Sequence, residues 1–304
     1  MIAGDMTTHY GLIGLNYNVM RILVLGSNGM AGHLISLYLQ EQGYDVTGFA
    51  RQKSTILNKS IVGDATNFPY LKEIIEKGKY DVVINCIGIL NQFAEQNHPL
   101  SVLLNSYLPH FVAQAANKVE SYVIHMSTDC VFSGTKGQYT EDDIPDGVTF
   151  YDRTKALGEL NDDKNITLRN SIVGPDINQN GIGLLNWFMQ QEGELNGFTK
   201  AIWTGQTTLQ LAKTMEVAAK ERAVGLYNAV PNESINKYEL LQLFNKYFKH
   251  NTVTIHPIEG VKADKSLKRT RYDFSYKIPD YEKMVAEAAE WTFNHKKLYP
   301  HYKL

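Results

Sequence analysis

Residues 21–32 read RILVLGSNGMAG, a short apolar run that leads directly into a glycine-rich turn. A continuous run of branched apolar residues is typical of a strand that is covered on both faces of a parallel sheet. The turn has the spacing GxxGxxG, and a helical apolar pattern follows it as far as Gly43. Strand, glycine turn and helix in this order predict a dinucleotide-binding unit, in which the pyrophosphate rests on the N-terminus of the helix. The predicted cofactor contacts in this turn are Gly26, Ser27, Asn28, Gly29, Met30 and Gly32. The alternative is a tight turn that binds no ligand.

Strand and helix signals alternate through the first half of the chain. Further strands are predicted at residues 46–50, 60–62, 81–87 and 122–126, with a helix at 105–116. Such alternation implies right-handed crossovers, and therefore an α/β protein with a Rossmann-type, doubly wound parallel sheet. In the second half, helices are predicted at residues 184–191, 208–222, 237–249 and 281–295.

The predicted organisation has three parts. Residues 1–19 are expected to be an N-terminal extension outside the core. Residues 20–170 are predicted to form the NAD(P)-binding Rossmann domain. Residues 171–304 are predicted to form a smaller C-terminal α/β substrate-binding region, partly interleaved with the sheet and placed over its carboxyl edge.

Composition excludes several classes of protein. A net charge of −2 provides no global field that would favour nucleic acid or anionic lipid. The two cysteines lie in apolar runs, which indicates reduced thiols of a cytoplasmic protein. No apolar run approaches the roughly 20 residues of a membrane helix. The nine histidines show no paired spacing typical of a metal site, and no nucleophile elbow supports hydrolase chemistry.

The residue that follows the second strand discriminates between the two nicotinamide cofactors. An acid there would bind the ribose diol of NAD, whereas an arginine can pair with the 2′-phosphate of NADP. Here Arg51 follows the strand, with Lys53 nearby and no acid. NADP(H) is therefore favoured and NAD(H) remains possible; a solvated surface arginine is the alternative. Asp64, after the third strand, is placed either to meet the adenine amino group or to cap the next helix.

Two motifs in the middle of the chain predict the catalytic groups. Ser127 and Thr128 directly follow the fifth strand, and Tyr151 and Lys155 have the spacing YxxxK. Residues four apart share one face of a helix, so the Lys155 ammonium is expected beside the Tyr151 phenol. With the charge of an oxidised nicotinamide, it would lower the phenol pKa from about 10. The Thr128 hydroxyl would hold the same carbonyl oxygen. YxxxK alone usually marks a solvated helix face, but together with the strand-end Ser-Thr and the glycine turn it indicates hydride transfer.

Further contacts are predicted around these groups. The end of the fourth strand should border the nicotinamide through Cys86, Ile87 and Gly88, with plain core as the alternative. Asn105 is expected to support the site by bonding to the backbone, or else to be a surface amide. The predicted substrate contacts are Asp129, Val131, Phe132, Arg169 and Trp203. Trp203 would stack on a base or sugar, and a core tryptophan is the alternative.

A basic run near the C-terminus is a second candidate for substrate contact. It comprises Lys262, Lys265, Lys268, Arg269 and Arg271. Arginine forks match phosphate oxygens, so this run can clamp a diphosphate, whereas a solvated loop is the simpler interpretation.

These motifs resemble those of the extended short-chain dehydrogenase/reductases, and most closely the dTDP-4-dehydrorhamnose reductases and related nucleotide-sugar reductases. The resemblance rests on the glycine turn, on STDCVFSG at residues 127–134 and TKGQYTEDD at 135–143, on YDRTKALGE at 151–159, and on Leu168-Arg169. It covers roughly residues 20–250. It implies catalytic roles for Thr128, Tyr151 and Lys155, with Lys155 also holding the nicotinamide ribose, and it suggests a homodimer. Cys130 stands where the family usually has tyrosine, and Asp152 where it usually has glycine.

The same fold supports dehydratases, epimerases and reductases, so the site residues must decide among them. The resemblance implies that a dehydratase would carry Asp-Glu after the threonine, whereas this chain has Asp129-Cys130. Epimerases usually retain NAD tightly, and Arg51 argues against that. The sequence therefore favours NADPH-dependent reduction of a 4-keto-6-deoxysugar nucleotide in deoxysugar or surface-polysaccharide biosynthesis. Two alternatives stay open: a nucleotide-sugar epimerase, and a non-catalytic NADP-binding subunit like the β-type regulatory subunit of methionine adenosyltransferase.

Overall fold

A computed structural model describes residues 19–304, so the extension predicted for residues 1–19 lies, apart from Val19, outside the described residues. The described strands, in chain order, are β1 Arg21–Leu25, β2 Asp45–Ala50, β3 Lys59–Val62, β4 Val82–Asn85, β5 Tyr122–Met126, β6 Ile166–Arg169, β7 Ile172–Val173, β8 Glu194–Phe198, β9 Ala201–Trp203, β10 Gln206–Thr207, β11 Gly225–Asn228, β12 Ile235–Asn236, β13 Thr254–Ile258 and β14 Ala263–Asp264.

Helices alternate with these strands. They are α1 Met30–Glu41, α2 Phe68–Gly78, α3 Asn91–Gln96, α4 His98–Ser101, α5 Leu108–Asn117, α6 Phe150–Leu157, α7 Leu184–Met189, α8 Thr208–Glu221, α9 Lys237–Phe248 and α10 Tyr281–Asn294. A π-helical turn, Val102–Tyr107, leads into α5, and short 3₁₀ turns lie at Asp129–Val131 and Lys296–Leu298. None of the helices formed by residues 19–304 is long and apolar enough to cross a membrane.

Seven strands form one parallel sheet in the order β11-β6-β5-β4-β1-β2-β3. Apolar side chains of the strands alternate between two buried layers, because successive residues of a strand point to opposite faces. One layer packs under α1 and α8, and the other under α2 and α5. The predicted Rossmann-type α/β fold is confirmed, and its central strands are buried except for Arg21 at the start of β1 and Met126 at the end of β5.

The predicted elements agree closely with the observed ones. The first and fifth strands have the predicted bounds, and the four C-terminal helices begin at the predicted residues. The fourth strand is shorter than predicted, because the chain leaves the sheet after Asn85. The helix predicted from residue 105 begins earlier, through the π-helical turn. Two strands of the sheet, β6 and β11, flank the predicted boundary at residue 170, which remains a prediction.

A third core lies in the C-terminal part, between α7, α9 and α10. The C-terminal part is connected to the region after β5, because residues 264–268 run beside residues 134–139 and form backbone hydrogen bonds with them. The Tyr139 amide donates to the Ser266 carbonyl over 2.9 Å, and the Lys268 amide donates to the Tyr139 carbonyl over 2.7 Å. The C-terminal segment therefore lies against the loop that follows β5.

The glycine turn after β1 depends on close backbone contact. Gly26 has φ of +81°, a conformation that side chains rarely adopt. A Cβ on Gly32 would lie 2.1 Å from the carbonyl oxygen of Gly26. Such a distance is far below van der Waals contact, and the obstacle is backbone rather than a flexible side chain. Gly32 therefore allows the first turn of α1 to sit directly on the end of β1.

Replacing Gly32 by alanine is expected to destabilise the protein by about 3 kcal/mol, because overpacking against fixed backbone displaces α1. The measurement is urea unfolding followed by circular dichroism. Gly29→Ala is the matched control, since a Cβ there meets its nearest atom at an ordinary 3.4 Å. A Gly32→Ala protein as stable as this control would contradict the packing described here.

Candidate functional site

The glycine turn exposes backbone donors at the start of α1. The helix begins at Met30 without a side-chain cap, so no side chain accepts from its first N–H groups. The turn is held by the Gly26 amide, which donates to the Phe49 carbonyl over 2.9 Å, and by the Asn28 amide side chain, which donates to the Gln52 carbonyl. The Ser27 hydroxyl is buried and has no hydrogen-bond partner among the described residues. The turn therefore offers several unpaired donors in one place.

The residues expected to distinguish the cofactors lie beside this turn. Arg51 is exposed at the end of β2. The Asp64 carboxylate accepts from both the amide and the hydroxyl of Thr66, each over 2.8 Å, and these bonds lower its pKa. Asn67, not Asp64, caps α2. The helix-capping alternative for Asp64 is therefore wrong, while its contact with adenine remains a prediction.

Asn105 connects the loop after β4 to α6, which carries the YxxxK motif. Its amide oxygen accepts from the Ile89 amide over 2.8 Å, and its amide nitrogen donates to the Ile89 carbonyl over 3.0 Å. The same nitrogen donates to the Thr154 hydroxyl on α6 over 3.2 Å. Asn105 is fully buried, so it is not a surface amide. These bonds fix the backbone at Ile89, directly after Cys86, Ile87 and Gly88, whose contact with a nicotinamide remains a prediction.

The Ser-Thr and YxxxK motifs meet at the carboxyl end of β5. Thr128 begins the 3₁₀ turn that follows this strand, and its hydroxyl accepts from the Cys130 amide and donates to the Asp129 carboxylate. Tyr151 and Lys155 lie on α6, and both are buried. The Lys155 ammonium donates to the carbonyl oxygen of Met126, the last residue of β5, over 2.8 Å. Burial lowers the pKa of Lys155 to about 8, and the electrostatic effect of the Glu159 carboxylate opposes this lowering.

The expected lowering of the Tyr151 pKa is not found in the chain itself. Burial raises the pKa of this phenol, and the nearby Cys130, Asp129 and Asp152 raise it further, while the Thr128 hydroxyl acts in the opposite direction. The Lys155 ammonium donates to the strand-end carbonyl of Met126 instead of acting on the phenol. Tyr151 is consequently protonated at neutral pH.

All five predicted substrate contacts are buried in the chain itself, and their contact with a substrate remains a prediction. Val131 and Phe132 are fully buried in a small core with Tyr139, because the 3₁₀ turn directs them inward. Trp203 is 4% exposed and packs in the C-terminal core, which is the alternative left open for it. These three side chains therefore contribute to the packed cores of the protein.

Arg169 is also a structural residue. Its guanidinium donates to both carboxylate oxygens of Glu159, over 2.8 and 2.7 Å, and it lies over the ring of Phe132. Both partners are buried, and the Ser127 hydroxyl donates to the same carboxylate over 2.7 Å. A buried guanidinium requires such a partner, so Arg169 holds the residues that follow α6 to β6.

The residues of the basic run near the C-terminus make different contacts and have different roles. Arg269 donates to three carbonyl oxygens, those of Arg271, Phe274 and Tyr276, and Arg271 donates to the carbonyl oxygens of residues 224 and 226. These arginines organise backbone, so they neither clamp a phosphate nor lie free in solvent. Lys262 is exposed. Lys265 alone of this run reaches the site, with its ammonium 3.8 Å from the Asp152 carboxylate.

Lys237, at the start of α9, is a site residue that sequence reasoning missed. Its ammonium lies 4.8 Å from the centroid of the Trp203 ring, and the Asp129 carboxyl acts on it electrostatically. Burial lowers its pKa to about 8. One signal was present in the sequence: Asn236 and Glu239 form a capping box, and a lysine in the first turn opposes the helix dipole. Such a placement needs a reason outside the helix.

Two surface cavities lie away from this constellation. One of about 400 Å³ lies between residues 191–193 and the C-terminal residues. The other, of about 530 Å³, surrounds Trp187 on α7. Neither is lined by Thr128, Tyr151 or Lys155, so the chemistry of the side chains, not cavity size, identifies the candidate site.

Comparisons with known proteins agree with this geometry. Residues 20–292 match the family model described as the RmlD substrate binding domain. The chain is 32% identical to a probable low-salt glycan biosynthesis reductase of Haloferax volcanii, over 46% of this chain and 48% of that protein. It is 24% identical to the methionine adenosyltransferase 2 subunit beta of Xenopus laevis, over 78% of this chain and 75% of that protein. The matched segment thus spans about half of the haloarchaeal relative.

A solved structure shows the same fold. The dTDP-4-dehydrorhamnose reductase of Bacillus anthracis, in complex with NADP, superposes with a TM-score of 0.75 at 20% identity. The match covers 90% of this chain and 99% of that one.

Replacing Arg169 by methionine is expected to cost about 3–5 kcal/mol of unfolding free energy, because Glu159 would be left as an unpaired buried charge. Urea unfolding measures this loss. In the double variant Arg169→Met/Glu159→Gln, most of it should be recovered. Lys77→Met removes an exposed partner of Glu73 and should leave the unfolding midpoint unchanged. Equal midpoints for the Arg169 and Lys77 variants would contradict the structural role of Arg169.

Proposed function

The chain belongs to the RmlD substrate-binding-domain family of extended short-chain dehydrogenase/reductases, and we propose that it reduces the 4-keto group of a 6-deoxysugar nucleotide with NADPH. The observation that supports this proposal is the meeting of Thr128, Tyr151 and Lys155 at the carboxyl end of β5. The glycine turn follows β1, which is separated from β5 only by β4, so the turn lies at the same edge of the sheet. The residues for hydride transfer and for dinucleotide binding therefore share one edge.

The residues of the turn fit a dinucleotide. A Cβ on Gly32 would fill the space against the Gly26 carbonyl, the first N–H groups of α1 lack a side-chain acceptor, and the Ser27 hydroxyl lacks a partner among residues 19–304. These donors suit a pyrophosphate. Arg51 would pair with the 2′-phosphate of NADP, Lys155 would hold the nicotinamide ribose, and residues 86–88 would border the nicotinamide.

A bound NADPH would supply the hydride that reduces the keto carbon. Tyr151 would donate its phenolic proton to the carbonyl oxygen, which becomes the new hydroxyl group. Its raised pKa keeps the phenol protonated at neutral pH, and an alkoxide is a strong enough base to take that proton. The Thr128 hydroxyl would orient the same oxygen. Lys155, whose ammonium is oriented by the Met126 carbonyl, would hold the nicotinamide ribose.

Reduction is favoured over the other reactions of this fold by the residues after Thr128. Asp129 is followed by Cys130, and burial raises the pKa of that thiol to about 12, so it is neutral and a poor substitute for a catalytic glutamate. The name of the Haloferax relative, a glycan biosynthesis reductase, supports the same reaction class and a role in polysaccharide biosynthesis. We place the enzyme in the cytoplasm and consider a homodimer the expected assembly.

A regulatory subunit that binds NADP without turnover is the second candidate. The Xenopus relative, named a subunit of methionine adenosyltransferase, matches over more of the chain than the Haloferax reductase does. Intact Thr128, Tyr151 and Lys155 support the enzyme. NADPH binding without turnover on any nucleotide sugar would support the subunit.

Tyr151→Phe is expected to lower kcat by about 100-fold or more, because the proton donor is removed. NADPH consumption is followed by absorbance with a panel of dTDP- and UDP-linked 4-keto-6-deoxysugars. NADPH affinity should stay unchanged, and Tyr107→Phe, at a tyrosine that is 49% exposed, serves as the control. Full activity of Tyr151→Phe would refute the assigned role.

Arg51→Ala is expected to weaken NADPH binding by about tenfold, since one charge-assisted contact with the 2′-phosphate is lost. Affinity for NADH, which lacks that phosphate, should not change. Titration of cofactor fluorescence gives both dissociation constants. An equal loss for the two cofactors would show that Arg51 does not read the 2′-phosphate.

A further inference from the structure

A buried histidine on α1 links the glycine turn to the C-terminal segment of the chain. His33 is fully buried in the first turn of this helix. Its ring nitrogen Nδ1 lies 3.0 Å from the carbonyl oxygen of Gly29, and Nε2 lies 2.9 Å from the hydroxyl oxygen of Tyr299. Tyr299 directly follows the last 3₁₀ turn and is 266 residues away in the sequence. The proposed reaction makes no use of this imidazole.

The two partners determine which nitrogen of the His33 ring carries the proton. A carbonyl oxygen can only accept, so Nδ1 donates to Gly29. Burial lowers the pKa of His33 to about 4, so the imidazole is neutral near neutral pH and Nε2 carries no proton. Nε2 therefore accepts from the Tyr299 hydroxyl. Tyr299 thus holds the ring in the tautomer and the orientation in which Nδ1 donates to the turn.

The Gly29 carbonyl oxygen accepts two hydrogen bonds from the same residue. The His33 amide donates to it over 2.9 Å, as in any α-helix, and Nδ1 adds the second bond. This carbonyl shares a planar trans peptide with the N–H of Met30, and the two groups of such a peptide point in opposite directions. Fixing the carbonyl along the helix therefore aims the Met30 N–H out of the helix N-terminus. The second bond also polarises the peptide and strengthens this donor.

The position of Tyr299 is itself fixed by the C-terminal core. Its side chain is buried, and its ring stacks on that of Tyr302, with 5.5 Å between the centroids. The Tyr302 hydroxyl accepts from the Asp176 amide over 3.0 Å. Both tyrosines belong to the core between α7, α9 and α10. The His33–Tyr299 hydrogen bond therefore connects the first turn of α1 to the C-terminal part of the protein.

We infer that His33 and Tyr299 are positioning residues for the dinucleotide, which aim the Met30 N–H at its pyrophosphate. This N–H belongs to the first turn of α1, where no side chain of residues 19–304 accepts from the helix N–H groups. An apolar pair of the same size could fill the same space, but it would leave the Gly29–Met30 peptide without its second bond. The C-terminal segment thereby takes part in cofactor binding. This inference rests on the proposed NADPH cofactor and not on the reduction of a sugar.

The experiment measures the affinity of the whole chain for NADPH by cofactor fluorescence, and for two fragments of NADPH by displacement. The fragment 2′-phospho-ADP-ribose keeps the pyrophosphate, whereas 2′-AMP has none. His33→Leu is expected to weaken binding of NADPH and of 2′-phospho-ADP-ribose by about fivefold, the net effect of one hydrogen bond. Affinity for 2′-AMP should not change. His33→Asn should retain most of the affinity, because its amide nitrogen can take the place of Nδ1.

Two further variants keep the test specific. Tyr299→Phe removes one hydroxyl and should weaken the same two ligands by about threefold, so it replaces His33→Leu if that variant does not fold. His295→Gln is the matched control. His295 also connects the C-terminal segment to α1, with Nε2 2.7 Å from the Glu41 carboxylate, but at the opposite end of the helix. This control should bind all three ligands like the wild type.

The outcomes separate this inference from the proposed function. Wild-type affinity for NADPH in the His33→Leu and Tyr299→Phe variants, or an equal loss for 2′-AMP, would overturn the inference. No binding of NADPH to the wild type would also overturn it. If the wild type reduces a nucleotide sugar while both variants keep their cofactor affinity, the reductase proposal stands and the inference fails. If no sugar is reduced but the variants bind the pyrophosphate ligands more weakly, the inference stands and the reductase proposal fails.

Discussion

All seven strands of the main sheet are parallel, so their carboxyl ends lie at one edge of the sheet. The candidate site depends on this constraint. β5 lies between β4 and β6, so the turn after it meets residues from both neighbours. The hydrogen bond from the Lys155 ammonium to the Met126 carbonyl ties α6 to the end of that central strand. Asn105 adds a second connection, because its side chain bonds to both the loop after β4 and α6. Sheet order thus fixes the relative positions of the predicted catalytic groups.

Local sequence patterns were sufficient to predict the strands and helices of this fold and the residues that follow its strands. The apolar runs of β1 and β5 and the glycine turn are local signals, and they placed Thr128 correctly at the sheet edge. The burial of Phe132 depends on partners from other parts of the chain, so no local pattern reveals it. Arg169 shows the same limit, because a buried ion pair cannot be distinguished by sequence from a ligand-binding arginine. Lys237 was missed because its neighbours in the site, Asp129 and Trp203, come from other parts of the chain.

The two departures from the family pattern have different physical consequences. Cys130 places a neutral thiol where a phenol is usual, and its burial keeps it neutral. Asp152 carries out two tasks in this chain. It completes the capping box of α6 with Thr149, and its carboxylate lies near the ammonium of Lys265. A glycine at this position could do neither, so the start of α6 in this protein is linked to the C-terminal segment.

The edge position of β11 has a consequence for synthesis of the chain on the ribosome. β6 is complete at Arg169, but its outer edge pairs with a strand that begins only at Gly225. At 5–20 residues per second, the intervening residues take roughly 3–11 s to emerge. During that interval the nascent protein presents an unpaired strand edge, which is a template for aggregation. Conditions that slow translation between these strands should therefore lower the yield of soluble protein more than equal slowing after residue 228.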